Sequence, residues 1–324
     1  MFPESRPRRN RRTPALRALV RETALTPSQL ILPLFVLPGE GRREPINALP
    51  GVDRLSSDLA AERAAEAAAV GVGGVLLFGL PEDKDEQGSS AWDPAGPVPD
   101  AVRAIRSAAP GLVIATDVCL CQYTSHGHCG LLGPNGEILN DLSLPVLARA
   151  AVAHARAGAD LVAPSDMFDG RVGVIRDALD EEGFAETTGI LAYSSKFASA
   201  FYGPFRDAAH STPSQGDRRS HQLDPANRRE AVREGLIDEA EGADMLMVKP
   251  ALTSLDVIAD LSAESELPVL AYQVSGEYAM LRHAADAGSF AFQDALLESL
   301  ISIRRAGARA TITYGAVDVA RWLA

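Results

Sequence analysis

Three stretches, AGADLVAPSD (157–166), EGADMLMVKP (241–250) and AGARATITYG (306–315), share one pattern. In each, a glycine stands where a helix would end in a left-handed C′ residue, and a short apolar run follows at once. That is the junction between a helix and the next strand of a repeating strand–helix unit. Outward from these junctions, similar runs lie at 30–36 (LILPLFV), 74–79 (GVLLFG), 112–118 (LVIATDV) and 159–163 (ADLVA). Others lie at 189–194 (GILAYS), 243–248 (ADMLMV), 267–273 (LPVLAYQ) and 309–314 (RATITY). Continuous rather than alternating apolar runs suit parallel strands buried on both faces. Helical segments fit between them at 56–69, 143–157, 171–182, 226–241, 254–263 and 292–306, the first opening on Ser56 with Asp58 in its first turn. Eight such units predict an α/β fold, a (β/α)8 TIM barrel spanning 29–324 behind a basic N-terminal arm, 1–28. The alternative, a doubly wound open sheet, lacks the Gly-x-Gly-x-x-Gly turn after its first strand.

The bulk numbers narrow the function classes. Hydrophobic residues make up 46% and charged residues 23% of 324 residues, a globular composition. A net charge of −12 opposes general nucleic-acid binding, which needs a basic face. No apolar run approaches the ~20 residues of a membrane span, and the arginines at the N-terminus lead into no apolar signal segment. The expected location is cytoplasmic, with neither nucleic acid nor membrane as partner.

A barrel places catalytic side chains at the C-terminal ends of its strands. Asp117 and Cys119 follow the third expected strand, and Ser165 and Asp166 the fourth. Lys196 follows the fifth, Lys249 the sixth, Ser275 the seventh, and Tyr314 ends the eighth. Of 31 Lys and Arg residues only Lys84, Lys196 and Lys249 are lysine. In a chain so biased towards arginine, a remaining lysine points to a need for a primary amine. Lys84, in the polar run 82–86, reads as a solvated loop charge. Lys196 and Lys249 read as amine nucleophiles, which an apolar wall and a neighbouring ammonium would keep neutral; ion-paired barrel lysines are the competing reading. All three cysteines, Cys119, Cys121 and Cys129, fall in one glycine-containing loop. Clustered thiols in a reducing compartment suit zinc, with a fourth position open for catalysis or closed by His126 or His128 in a structural site. The stretch 203–222 (GPFRDAAHSTPSQGDRRSHQ) carries Arg206, Arg218 and Arg219, and reads as a lid gripping a carboxylate or as a solvated surface loop.

The motifs DVCLCQYTSHGHCG (117–130), SDMFDGR (165–171), YSSKFASAFYGPFRDA (193–208), MVKP (247–250) and VSGEYAM (274–280) resemble the porphobilinogen synthase family, the 5-aminolevulinate dehydratases. The likeness runs from about residue 10 to the C-terminus. It implies the condensation of two 5-aminolevulinate molecules to porphobilinogen with loss of two waters, in tetrapyrrole synthesis. It implies that Lys249 forms a Schiff base with the first substrate, the propionate side, and that Lys196 engages the second, the acetate side. Cys119, Cys121 and Cys129 would hold a catalytic zinc, with Asp117 orienting the second substrate's amine. Arg206, Arg218 and Gln222 would grip the second carboxylate, and Ser275 and Tyr314 would donate to the first. Some members bind a second zinc through residues matching His128 and Ser220, and serine at 220 argues against that site here. The run 228–234 resembles members with an allosteric magnesium, with Glu234 as the ligand; an exposed helical glutamate is the plainer reading. The arginine-rich arm resembles those that wrap a neighbouring barrel in a homo-octamer; a frayed tail or a contact with an anionic partner would also use its seven arginines.

Two rival functions use some of the same residues. A Schiff-base class I aldolase would explain one lysine but leave the other lysine and the thiols idle. A non-catalytic zinc-binding protein would unfold on metal removal, whereas a catalytic site leaves the barrel folded.

Overall fold

The computed structural model describes residues 4–211, 214 and 216–324. Along the chain come α1 (Pro14–Leu19), β1 (Leu30–Leu37), β2 (Arg43–Pro45), β3 (Asp53–Ser56), α2 (Ser57–Ala69), β4 (Gly74–Gly79), α3 (Pro97–Ala108) and β5 (Val113–Val118). Then follow α4 (Asn140–Ala157), β6 (Leu161–Pro164), α5 (Arg171–Glu181), β7 (Gly189–Lys196), α6 (Gly203–Ala208), α7 (Arg228–Ala240) and β8 (Met245–Lys249). The last elements are α8 (Leu255–Glu264), β9 (Val269–Tyr272), α9 (Ser275–Asp286), α10 (Phe292–Ala306), β10 (Ala310–Ile312) and α11 (Ala316–Leu323).

Eight strands pair in parallel in the order β1, β4, β5, β6, β7, β8, β9, β10, and β10 returns to β1 through Leu30 opposite Thr311. The (β/α)8 barrel is therefore closed, and every expected strand has its counterpart. The strands are buried on both faces, β1 along its whole length, because helices cover the outside and side chains fill the inside. Alanine-rich α2 lays Ala60, Ala61, Ala64 and Ala67 against the sheet, a spacing that puts one narrow face inward. The junction glycines behave as their repeat implies. Gly158, Gly242 and Gly307 have φ of 103°, 101° and 126°, where a side chain would strain the turn.

Several elements went unread in the sequence. The short antiparallel pair β2–β3 extends the sheet beside β1 and lies in a segment with no clear alternation. Helix α3 buries Val98, Ala101, Val102 and Ile105 at helical spacing, but Pro97 and Pro99 mimic a loop; proline is tolerated in a helix's first turn. Helices α9 and α11 also lay outside the expected set. In the arm, α1 buries no side chain, and Leu19 is 81% exposed. Among the described residues no helix is long and apolar enough to cross a membrane.

Candidate active site

Strands β7 and β8 end on the two lysines, and Lys196 stands in register with Lys249. Both are buried, with 5% and 4% of their surface exposed. The Lys249 amine lies in an aromatic box. Its Nζ is 4.4 Å from the ring centre of Tyr272, 5.0 Å from Tyr193 and Phe205, and 5.2 Å from Tyr202. Lys196 Nζ lies 5.6 Å from the same Tyr193 ring and donates to the Ser165 carbonyl. Burial first, and the Lys196 ammonium second, push the Lys249 amine down to about 7. Near-neutral water therefore meets a Lys249 amine that is substantially uncharged.

The three thiols form the second part. Their sulfurs lie within 4.8 Å of one another, and those of Cys119 and Cys121 are 3.3 Å apart. All three are buried. Hydrogen bonds from the Cys119 and Cys121 thiols hold Cys129 well below the usual thiol value, helped by Arg218 and Lys196, while Cys119 is pushed well above it. Among the described residues no histidine joins this group. His126 is occupied elsewhere, with Nδ1 accepting from the His128 amide at 3.1 Å and Nε2 3.2 Å from the Glu86 carbonyl. Three soft ligands in a preformed triangle could hold a metal ion that prefers thiolates. Asp117, buried beside them, accepts from Gln122 Nε2 at 3.0 Å through one oxygen, while its other oxygen has no hydrogen bond. Burial, then the charge of Cys121, raises Asp117 above the ordinary carboxylate value.

The residues expected to hold carboxylates divide into two sets. From the lid, Arg218 is buried and donates from Nη2 to the Gly127 carbonyl at 3.0 Å. Burial lowers Arg206, and the charge of nearby Arg218 lowers it further. Both amide atoms of the buried Gln222 lack a hydrogen-bond partner. Two crowded cations and an unsatisfied amide are what an anionic group would relieve. On the other side, the Tyr314 hydroxyl is 3.1 Å from that of Tyr272. Ser275 opens α9, and its Oγ accepts from the Phe205 amide at 3.0 Å. Residues 212, 213 and 215 of the expected lid lie outside the described residues.

Other expected site residues lie elsewhere. Glu234 is half-buried on α7, raised by burial and by Asp238, with Arg233 at 3.7 Å. Among the described residues it belongs to no group of three potential ligands. Ser220 is exposed, its Oγ 3.2 Å from His221 Nδ1. Lys84 departs from the solvated reading: it is half-buried, and its Nζ donates to the His210 carbonyl at 2.7 Å.

The sequence reading missed the aromatic box and Glu277. Tyr193, Tyr202 and Phe205 stand in the quoted motif at 193–208, but nothing in one strand's pattern says that they meet Tyr272. Glu277 accepts the amides of Val274 and Leu252, both at 2.6 Å, and so ties the turn after Lys249 to the start of α9. Its only sequence signal is a glutamate two residues after Ser275 in VSGEYAM.

The comparisons with known proteins point to one family. The family model for delta-aminolevulinic acid dehydratase matches residues 4–322. A delta-aminolevulinic acid dehydratase of Synechococcus elongatus is 52% identical over 100% of both chains. One of Bacillus subtilis is 49% identical over 99% of this chain and 98% of its own. Among solved structures, delta-aminolevulinic acid dehydratase (porphobilinogen synthase) of Toxoplasma gondii in complex with the reaction product porphobilinogen superposes with a TM-score of 0.96. It is 48% identical, covering 98% of this chain and 91% of that one. With paired lysines, a thiol triangle and full-length similarity in agreement, the chain belongs to the delta-aminolevulinic acid dehydratase family.

Proposed function

We propose that this chain condenses two molecules of 5-aminolevulinate, with loss of two waters, to porphobilinogen, an early step of tetrapyrrole synthesis. The observation that carries this reading is the Lys249 amine, boxed by four rings and held near 7 next to a second buried lysine. A neutral amine adds to the ketone of a 4-oxo acid; loss of water then leaves a Schiff base that activates the neighbouring carbon.

Lys249 takes the first substrate, whose carboxylate reaches the hydroxyls of Ser275 and Tyr314. The start of α9 supports this placement, since helix N-termini favour anions. Lys196 engages the second substrate, whose carboxylate is gripped by Arg206, Arg218 and Gln222. Asp117 orients that substrate's amine and can hold its proton, since burial raises this carboxyl above the ordinary carboxylate value. Zinc held by Cys119, Cys121 and Cys129 would supply Lewis acidity to a carbonyl or hydroxyl oxygen.

The arm at 1–28 is assigned to assembly, as a homo-octamer. Support comes from Leu19, which ends α1, and Val20 just after it, both exposed among the described residues. Glu234 is assigned as a ligand for an allosteric magnesium, with Asp238 and Asp169 contributing to its negative surroundings. The cytoplasm is the assigned compartment, where reduced thiols persist.

Incubation with 5-aminolevulinate and borohydride, followed by peptide mapping, tests the central claim. A substrate-mass adduct on Lys249 is expected. An unmodified Lys249 in an enzyme that is turning over removes the mechanism. A class I aldolase would be trapped by other carbonyl substrates and not by this one.

A further inference from the structure

The short lid helix α6 is held at its C-terminal end by two cations that the reaction does not otherwise use. Arg54, within β3 and only 8% exposed, donates from Nε to the Ala208 carbonyl at 2.7 Å. Its Nη2 donates to the Asp207 carbonyl at 2.8 Å. Lys84, in the loop after β4, donates to the carbonyl of His210, the residue that turns the chain at φ 45° just beyond the helix. The last carbonyls of a helix have no partner within it and carry its negative end, so cations placed there are favourable. At six residues α6 cannot sustain itself, and its position depends on what grips it from outside.

What α6 carries makes its position matter. Phe205 forms one wall of the box around the Lys249 amine and packs on Phe78 at 5.0 Å and on Phe35 at 5.6 Å. The next residue is Arg206. The amide of Phe205 is tied to Ser275 at the start of α9. Helix α6 is thus tied to the start of α9 through Ser275, and its C-terminal end is held by Arg54 and Lys84.

We propose that Arg54 and Lys84 are positioning residues that latch α6 over the substrates, acting on substrate retention through Phe205 and Arg206 without touching substrate themselves. The inference rests on the reaction proposed above. Burial of the Lys84 ammonium, which lowers its proton affinity, agrees with a held contact and not a free surface charge.

The test uses the full-length, metal-loaded enzyme with the substitutions Lys84→Met and Arg54→Met. Steady-state kinetics with 5-aminolevulinate, thermal unfolding and timed trypsin cleavage at Arg206, Arg218 and Arg219 are read together. The expected result is a KM raised roughly 10-fold to 100-fold, as for loss of a hydrogen bond to a charged group, with a smaller change in kcat. Faster cleavage within 203–222 should accompany it, with the unfolding midpoint of Lys84→Met unchanged. The double variant should fall short of the product of the single effects, because both cations hold one helix end. Wild-type KM and wild-type cleavage in Lys84→Met overturn the latch, whether or not Arg54→Met folds. So does a loss of activity that merely tracks a lowered unfolding midpoint. A wild-type enzyme that forms no porphobilinogen sinks the reaction instead, so the two failures are distinct.

Discussion

Two opposing effects act on Lys249. Four aromatic faces within about 5 Å attract an ammonium, worth roughly 0.5–2 kcal/mol per ring. Removing that charge from water costs several kcal/mol, and the nearby Lys196 ammonium adds to the cost. Burial wins, and the amine sits at about 7. Trapping by borohydride should therefore rise with pH through a midpoint near 7 and level off above it. Lys196, Asp117, Cys119 and Cys121 face the same amine, so substitution of Lys196 by methionine should move that midpoint upward. Lys249→Met should lower activity by roughly 10²–10⁴-fold or more, the range for loss of one acid–base group, and abolish the adduct. The same change should stabilise the fold. An unfolded lysine titrates near ~10.4, so between about 7 and that value only the unfolded chain carries the proton. The cost of burying the ammonium is complete below 7 and withdrawn as pH rises towards ~10.4. Lys249→Met should accordingly unfold at higher temperature than the parent, with the margin largest below neutrality.

Strand β7 shows how local geometry serves the site. Side chains alternate along a regular strand, so residues 193 and 196 would point to opposite faces. The pairing of β7 with β8 shifts register between Ala192 and Ser195, and this irregularity turns both Tyr193 and Lys196 towards the barrel mouth. Helix α9 makes a different demand. At Gly276 a Cβ atom would stand 2.5 Å from the Phe201 carbonyl oxygen and 2.8 Å from the Phe201 Cα, both backbone atoms. Gly276→Ala should therefore push the segment leading into α6 away from α9, weakening substrate binding while leaving the barrel folded. KM and circular dichroism measured on the same sample check this, and an unchanged KM removes the argument.

The contacts that close the barrel lie away from the thiol loop. A buried fork from Arg171 to Asp238, at 2.7 and 2.9 Å, ties α5 to α7, and the closed sheet leaves no open edge among its eight parallel strands. The thiols sit in one loop beyond β5 and bridge no separate parts of the sheet. Chelation of a purified, active sample should thus abolish activity and leave the far-ultraviolet spectrum intact, with zinc restoring turnover. Loss of the spectrum together with the metal would favour the non-catalytic zinc-binding reading.

Strand order, the lysines and the cysteines were legible in sequence because each is a local signal. A buried parallel strand is a continuous apolar run, a helix end is a glycine, and three lysines stand out among arginines. Barrel closure then implies that strand ends meet, which gathers Asp117, Cys119, Lys196 and Lys249 on one rim. Lys84 was misread because its partner is a carbonyl 126 positions away, and carbonyls have no sequence signature. The aromatic box was invisible for the same reason: Tyr193, Tyr202, Phe205 and Tyr272 come from two strands and the lid segment. Only packing in three dimensions decides which apolar rings exclude water from which amine, and that exclusion sets the charge on Lys249.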